Sequence, residues 1–231
     1  LLPTMQALRD HLAARHAYRE DIHVGLAGGI ATPSATAAAF AMGADYVLTG
    51  SVNQACMESG TSDLVRRMLA DAQQADVAMA PSADMFEMGV RVQVLKRGTM
   101  FPLRAQKLYD LYRQYPHWEA VPQKERVVLE RDFFRRTFEE EWAKTCLFFQ
   151  GRDPSQIQRA HQDPRHKMAL VFRSYLGQSS SWANRGDASR QMDYQIWCGP
   201  GIGAFNEWAR GSFLEDPAQR QTVTVALNFL L

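Results

Sequence analysis

Cysteine is scarce. Cys56, Cys146 and Cys198 are the only three in 231 residues, odd in number and far apart. That spacing supports neither a disulfide framework nor a zinc site, and it suits a reducing cytoplasm. The three read instead as small hydrophobes, buried or partly so. A charge excess of one sign is lacking too. The formal net charge is +1, so bulk electrostatics points to neither a nucleic acid nor a membrane surface. No apolar run reaches the roughly 18 residues that a membrane-spanning helix needs. No signal peptide is visible, because the opening LLPTMQALRDHLAARH reads as an amphipathic helix without a cleavage site. The six histidines lack metal-ligand spacing. His161 and His166 lie one residue past a helical i,i+4 pair and read as surface helix positions. GxSxG, Walker, HExxH and CxxC patterns are all missing, so no acid, base or nucleophile announces itself.

What is present is an ordinary globular composition, 46% hydrophobic and 22% charged, long enough for one large domain or a domain and a half. The informative stretch is HVGLAGGIATPSATAAAFAMGADYVLTGS, residues 23–51. It predicts a strand over His23 to Ala27, a Gly28-Gly29 turn, and a helix. Thr32 is placed to cap that helix, with Pro33 at its first position. Gly43 stops it. A second short strand follows over Asp45 to Thr49, and Gly50-Ser51 opens another turn. Two glycine corners at the C-terminal ends of neighbouring parallel strands can cradle a phosphate. In (β/α)₈ barrels the common phosphate site lies at the last two such loops. On pattern alone, a plain βαβ unit with glycines serving only turn geometry remains equally open.

Further along, Ser62 or Thr61 is placed to cap a helix over DLVRRMLADAQQADV. The stretch from Met79 to Phe101 is rich in Met and Phe and holds the alternating strand VRVQV and a basic turn at Lys96-Arg97-Gly98. It reads as core plus hairpin, or as a lid over an acyl-binding slot with Lys96 and Arg97 near a phosphate-bearing partner. From Pro102 onward the pattern is helical. Asp153-Pro154, Asp163-Pro164 and Asp216-Pro217 are cap-plus-proline starts. Glu139 to Glu141 read as a solvated helix face, and GQSSSWANRG (177–186) as a loop. CGPGIGAFN resembles a dinucleotide loop, but it lacks the flanking strand and acidic partner, so tight helix packing is preferred. A boundary is expected near Met100, dividing residues 1–100 from a helical subdomain, 101–231. Both ends of the chain read as cut, the mark of a piece of a longer polypeptide. A cradle without a catalytic side chain suits a cofactor enzyme.

At AGGIATP, GADYVLTGSVNQACMESGTSD, ADMFEMGVRVQVLKRGTMFPLRAQKLY, HKMALVFRSYLGQSSSWA and YQIWCGPGIGAFNEW the sequence resembles one family. These are the PfaD-type trans-acting enoyl reductases of polyketide and polyunsaturated fatty-acid synthases, within the nitronate monooxygenase (2-nitropropane dioxygenase) superfamily. The resemblance covers essentially the whole chain and implies an α/β fold: the C-terminal part of an FMN-binding (β/α)₈ TIM barrel followed by a mostly helical subdomain. It implies reduction of a 2-enoyl thioester on the phosphopantetheine arm of an acyl carrier protein, with NADPH and FMN as cofactors and synthase components as partners. A homodimer is compatible with it. The flavin phosphate would be held at Ala27, Gly28, Gly29, Gly50 and Ser51, with Asn53 and Gln54 near the cofactor. Met85, Lys96 and Arg97 would meet acyl chain and carrier. The catalytic group is expected upstream, so the isolated chain is expected to bind FMN poorly and turn nothing over. The rivals are nitronate oxidation, a non-catalytic docking module within a synthase, and another phosphate-binding barrel.

Overall fold

The computed structural model describes all residues, 1–231. In chain order the elements are α1 (Leu2–His16), β1 (Leu26–Ala27), α2 (Pro33–Ala41), β2 (Val47–Leu48), α3 (Ser51–Gln54) and α4 (Asp63–Ala70). They continue with β3 (Val77–Pro81), β4 (Arg91–Leu95), α5 (Phe101–Gln114), α6 (Gln123–Val128), α7 (Phe138–Gln150), α8 (Pro154–Gln162) and α9 (Pro164–Arg185). Last come α10 (Gly201–Ala209) and α11 (Thr222–Leu230). The fold is α/β but mostly helical. Its strands form two two-stranded sheets, β1–β2 and β3–β4, and no closed barrel.

The chain divides into two compact units, and not at Met100. The first comprises Leu1–Val77 and Cys198–Leu231, and the second Ala78–Trp197. The C-terminal segment, expected to belong to the helical part, returns to the first unit. Nothing in local pattern marks that return, because it depends on which surfaces α10 and α11 cover.

In the first unit the expected βαβ grammar is present. Thr32 Oγ1 accepts from Ala35 N–H at 3.3 Å, Pro33 opens α2, and Gly43 adopts φ 86° after its end. The strands β1 and β2 pair in parallel, Leu26 with Val47 and Ala27 with Leu48. Each strand is only two residues long, shorter than the periodicity suggested, since a lone pair of strands satisfies few ladder bonds. Asp45 secures the pair from outside: its Oδ2 accepts from Val24 N–H at 2.7 Å, and its own N–H donates to Val24 O at 3.0 Å. Leu2, Ile30, Ala39 and Ala44 form the small core beneath. The α1 helix buries only Leu2 and leaves Met5 and Leu8 exposed, so the amphipathic reading of that helix fails. Ser62 caps α4, which ends at Ala70 rather than running on to Val77.

The second unit is built on α9. Leu170, Val171, Phe172, Tyr175 and Leu176 of that helix are buried. Trp118 stacks on Phe138 at 4.3 Å between ring centroids, and both aromatic neighbours Phe134 and Phe172 are buried with them. The segment 177–186, expected as a loop, is the C-terminal part of α9 up to Arg185, followed by its cap Gly186. Ser179, Trp182 and Ala183 are buried there, Ser179 Oγ donates to Tyr175 O at 2.8 Å, and the helix stops at Gly186, φ 67°. Packing of the helical face overrides the weak propensity of the glycine and serines. The acidic run is a solvated face at Glu139 and Glu140, which are exposed, and departs from that expectation at Glu141. Glu139 pairs with Lys167, Glu140 closes a capping box with Thr137, and Glu141 is buried, accepting from Ser174 Oγ and Gln178 Nε2. His166 is buried too, bonded to Gln156 Oε1 at 2.8 Å, and burial lowers its pKa. Of the Met-rich stretch, Phe86 and Phe101 supply core while Met79, Met85, Met88 and Met100 remain exposed.

One buried carboxylate ties this unit together. Asp193 is fully buried, bonded to Arg104 Nη1, to Arg190 Nη1 at 3.1 Å and to Tyr175 O–H at 2.7 Å. Arg190 also donates to Phe133 O and Phe134 O, so the network joins α5, α9 and the turn of π-helix at Leu129–Phe134. Removing the carboxylate strands two cations in low dielectric. Asp193→Ala is therefore expected to cost roughly 3–5 kcal/mol, read as a fall in the urea midpoint. A change below about 1 kcal/mol would show the network to be incidental.

Candidate functional site

The glycine corners do come together. Because β1 and β2 are parallel and in register, Gly28-Gly29 and Gly50-Ser51 leave the same end of adjacent strands, about 4.8 Å apart by strand spacing. Gly28 and Gly29 adopt φ 84° and 77°, which a side chain would resist by roughly 1–2 kcal/mol each. A Cβ placed on Gly28, Gly29 or Gly50 would meet nothing within 4 Å, so these corners border open space.

A third loop reaches the same corners, and its local pattern does not assign it there. Gly199 N–H donates to Ser51 Oγ at 2.7 Å. A Cβ on Gly201 would stand 3.4 Å from Ala31 Cβ and 3.9 Å from Gly29 Cα. The start of α10, which has Pro200 at its N-cap and no side-chain cap bond, thus lies beside the first glycine corner. Tight packing, the preferred reading of CGPGIGAFN, is also present. Any side chain at Gly203 would overlap the backbone of Gln73 and Gln74. The GPG before a helix was the available signal, but nothing local says which strands it meets.

These groups fit a phosphate by their chemistry: glycine backbone bordering open space, a hydroxyl at Ser51, and the Gly201 N–H at the start of α10, whose next N–H groups, Ile202 and Gly203, bond to Gly199 O and Pro200 O. Ala27 ends β1 at the rim. Asn53 is exposed and its Oδ1 accepts from Thr49 Oγ1 at 2.8 Å, and Gln54 is exposed at the end of α3. Met85, Lys96 and Arg97 belong to the second unit. Met85 is 44% exposed, and Lys96 and Arg97 are exposed in the turn after β4, where Gly98 takes φ 73°. No cluster of histidine, cysteine and carboxylate fit for a metal exists, and no helix is long and apolar enough to cross a membrane.

Comparison with known proteins adds the decisive likeness. Over its full length the chain superposes on the crystal structure of the enoyl reductase domain of MlnA, from the macrolactin biosynthesis cluster of Bacillus amyloliquefaciens. The TM-score is 0.93 at 39% identity, and 52% of that chain is covered. The chain resembles half of an enoyl reductase domain. It is 49% identical over 219 residues to a component protein of the polyunsaturated fatty acid synthase of Thraustochytrium sp., covering 93% of this chain and 15% of that protein. It is 47% identical over 216 residues to the polyketide biosynthesis protein PksE of Bacillus subtilis, covering 94% of this chain and 28% of that one. The chain therefore spans well under a third of these curated relatives. Residues 115–194 also match the family described as acyl-carrier-protein S-malonyltransferase, inserted helical domain.

The cysteines are free thiols: Cys56 and Cys198 buried, Cys146 half-buried. Burial pushes Cys198 up to about 12, with the Asp76 carboxylate adding to it, and burial raises Cys56 and Cys146 as well. A folded pKa above the unfolded value of 9.0 means stability present below pH 9 and lost as pH rises toward 12. With Ellman's reagent at pH 8, Cys146 is expected to react first, and Cys56 and Cys198 only on unfolding. Fast reaction of Cys198 in the native protein would contradict its burial.

Proposed function

We propose that this chain is the C-terminal part of an FMN-dependent enoyl reductase in polyketide or polyunsaturated fatty-acid biosynthesis, acting on a 2-enoyl thioester carried by an acyl carrier protein. The observation that carries the reading is the match along the entire chain to an enoyl reductase domain. Similarity to the fatty acid synthase component and to PksE supports the biosynthetic setting. The placement within a TIM barrel of the nitronate monooxygenase superfamily belongs to the same proposal. The two strands with their glycine corners are what the end of such a barrel would contribute.

FMN, when bound, supplies hydride transfer from NADPH to the β-carbon of the enoyl group. This chain's part is to grip the phosphate. Gly28, Gly29 and Gly50 admit close backbone approach, and the start of α10 brings the Gly201 N–H to the same corner. With Gly199 N–H occupying a lone pair of Ser51 Oγ, the hydroxyl proton is free to point at a phosphate oxygen. The second unit presents Lys96 and Arg97 as cations for a carrier's phosphate and the exposed Met85 as apolar surface for an acyl chain. No residue here is assigned as the catalytic acid. The match of residues 115–194 to a helical insert in an acyl-carrier-protein S-malonyltransferase favours one companion reading, in which this unit serves carrier docking.

Gly50 has φ −104° as the N-cap of α3 and open space at its Cβ, so Gly50→Val fills the corner with little backbone strain. In the intact protein that variant is expected to weaken FMN binding at least tenfold by fluorescence titration, with the thermal midpoint changed by less than a few degrees. NADPH-dependent enoyl reduction should fall in parallel. Unchanged FMN affinity would remove the cradle. Nitroalkane-dependent oxygen uptake in place of enoyl reduction would transfer the assignment to nitronate oxidation.

A further inference from the structure

The second unit holds a concave site that the flavin reading does not use. Helices α7 and α9, with the chain just after β3, enclose a cavity of about 530 Å³. That volume falls within the roughly 300–1,000 Å³ of small-molecule sites. It is too small to seat a folded partner. Its apolar wall is Phe148 and Phe149, and its charged groups are Lys144, Arg152, Arg173 and Asp84. Phe148 is 51% exposed, an aromatic ring held half in water beside a cleft.

Two of the three cations there, Lys144 and Arg152, form no ion pair in the fold. Lys167 of α9 pairs with Glu139 of α7 at 2.8 Å, and Arg136, just before α7, with the buried Glu141 at 3.4 Å. Arg173 is partly engaged, with Glu87 at 3.3 Å and Ala83 O at 2.8 Å. Lys144 and Arg152 are exposed and form no ion pair. The Arg152 guanidinium lies 4.1 Å from the centroid of the Phe148 ring. That contact leaves its N–H groups free to donate. Two cations without an ion pair, and a third already paired with Glu87, thus line an aromatic wall with the carboxylate of Asp84.

We propose that this groove binds an organic phosphate, its charge held by Lys144 and Arg152 and its apolar portion laid against Phe148 and Phe149. A free phosphate ester and a phosphate-linked arm on a carrier share this chemistry. The proposal does not depend on enoyl reduction: it is read by binding, whether or not any enoyl substrate is turned over.

The test is calorimetric titration of the intact protein with hexyl phosphate, inorganic phosphate and hexanol. Hexyl phosphate is expected to bind at least tenfold more tightly than either of the other two. Lys144→Glu with Arg152→Glu should weaken it at least tenfold while the thermal midpoint stays put, both side chains being exposed and unpaired. Asp84→Asn should tighten it two- to threefold. Equal binding of inorganic phosphate or hexanol, no saturable binding of hexyl phosphate, or an unchanged affinity in the double variant would each overturn the proposal. In competition, displacement of hexyl phosphate by the phosphopantetheine-bearing carrier and not by the unmodified carrier upholds the groove with a tethered ligand. Failure of both to displace it upholds the groove with a free one.

Discussion

Four residues of parallel ladder, Leu26–Ala27 against Val47–Leu48, set the direction of everything proposed for the first unit. Parallel pairing requires a crossover, and α2 is that crossover, begun by Thr32 and Pro33 and ended at Gly43. An antiparallel pair would send the two glycine corners to opposite edges, and no anion could meet both. The pair is short, so side-chain help matters. Asp45 holds Val24 through two hydrogen bonds, which limits how far the strands can slip.

The second unit is held by different physics. Its centre is a set of stacked aromatic rings around α9 and a buried carboxylate shared by Arg104 and Arg190. Charges taken out of water are tolerated only when mutually satisfied, and here the guanidiniums also satisfy backbone carbonyls at the end of the π-helical turn. That arrangement accounts for cations inside the unit. It also sets apart Lys144 and Arg152, which form no ion pair in the fold.

The segment Cys198 to Gly203 shows one motif serving two physical ends. Gly203 lets α10 lie directly on the backbone at Gln73 and Gln74, a close approach that only the absent side chain permits. Four residues earlier, Gly199 spends its N–H on Ser51. The packing at one end places the hydrogen bond at the other.

Local chemistry in the sequence determined a good deal by itself. The caps at Thr32, Ser62, Asp153 and Asp163 act where their residue types say, because a cap is an interaction across two or three residues. The glycine corners and the strand–helix–strand order were legible for the same reason. Tertiary structure decided the rest. Gly177 to Arg185 became helix because a buried face outweighs propensity, and Glu141 and His166 went inside because partners from other segments satisfy them. The return of Cys198–Leu231 to the first unit depends on pairings more than a hundred residues apart, such as Gly199 with Ser51. A sequence states what each stretch prefers nearby; which distant surface will bury it is settled only when the whole chain competes for the same core.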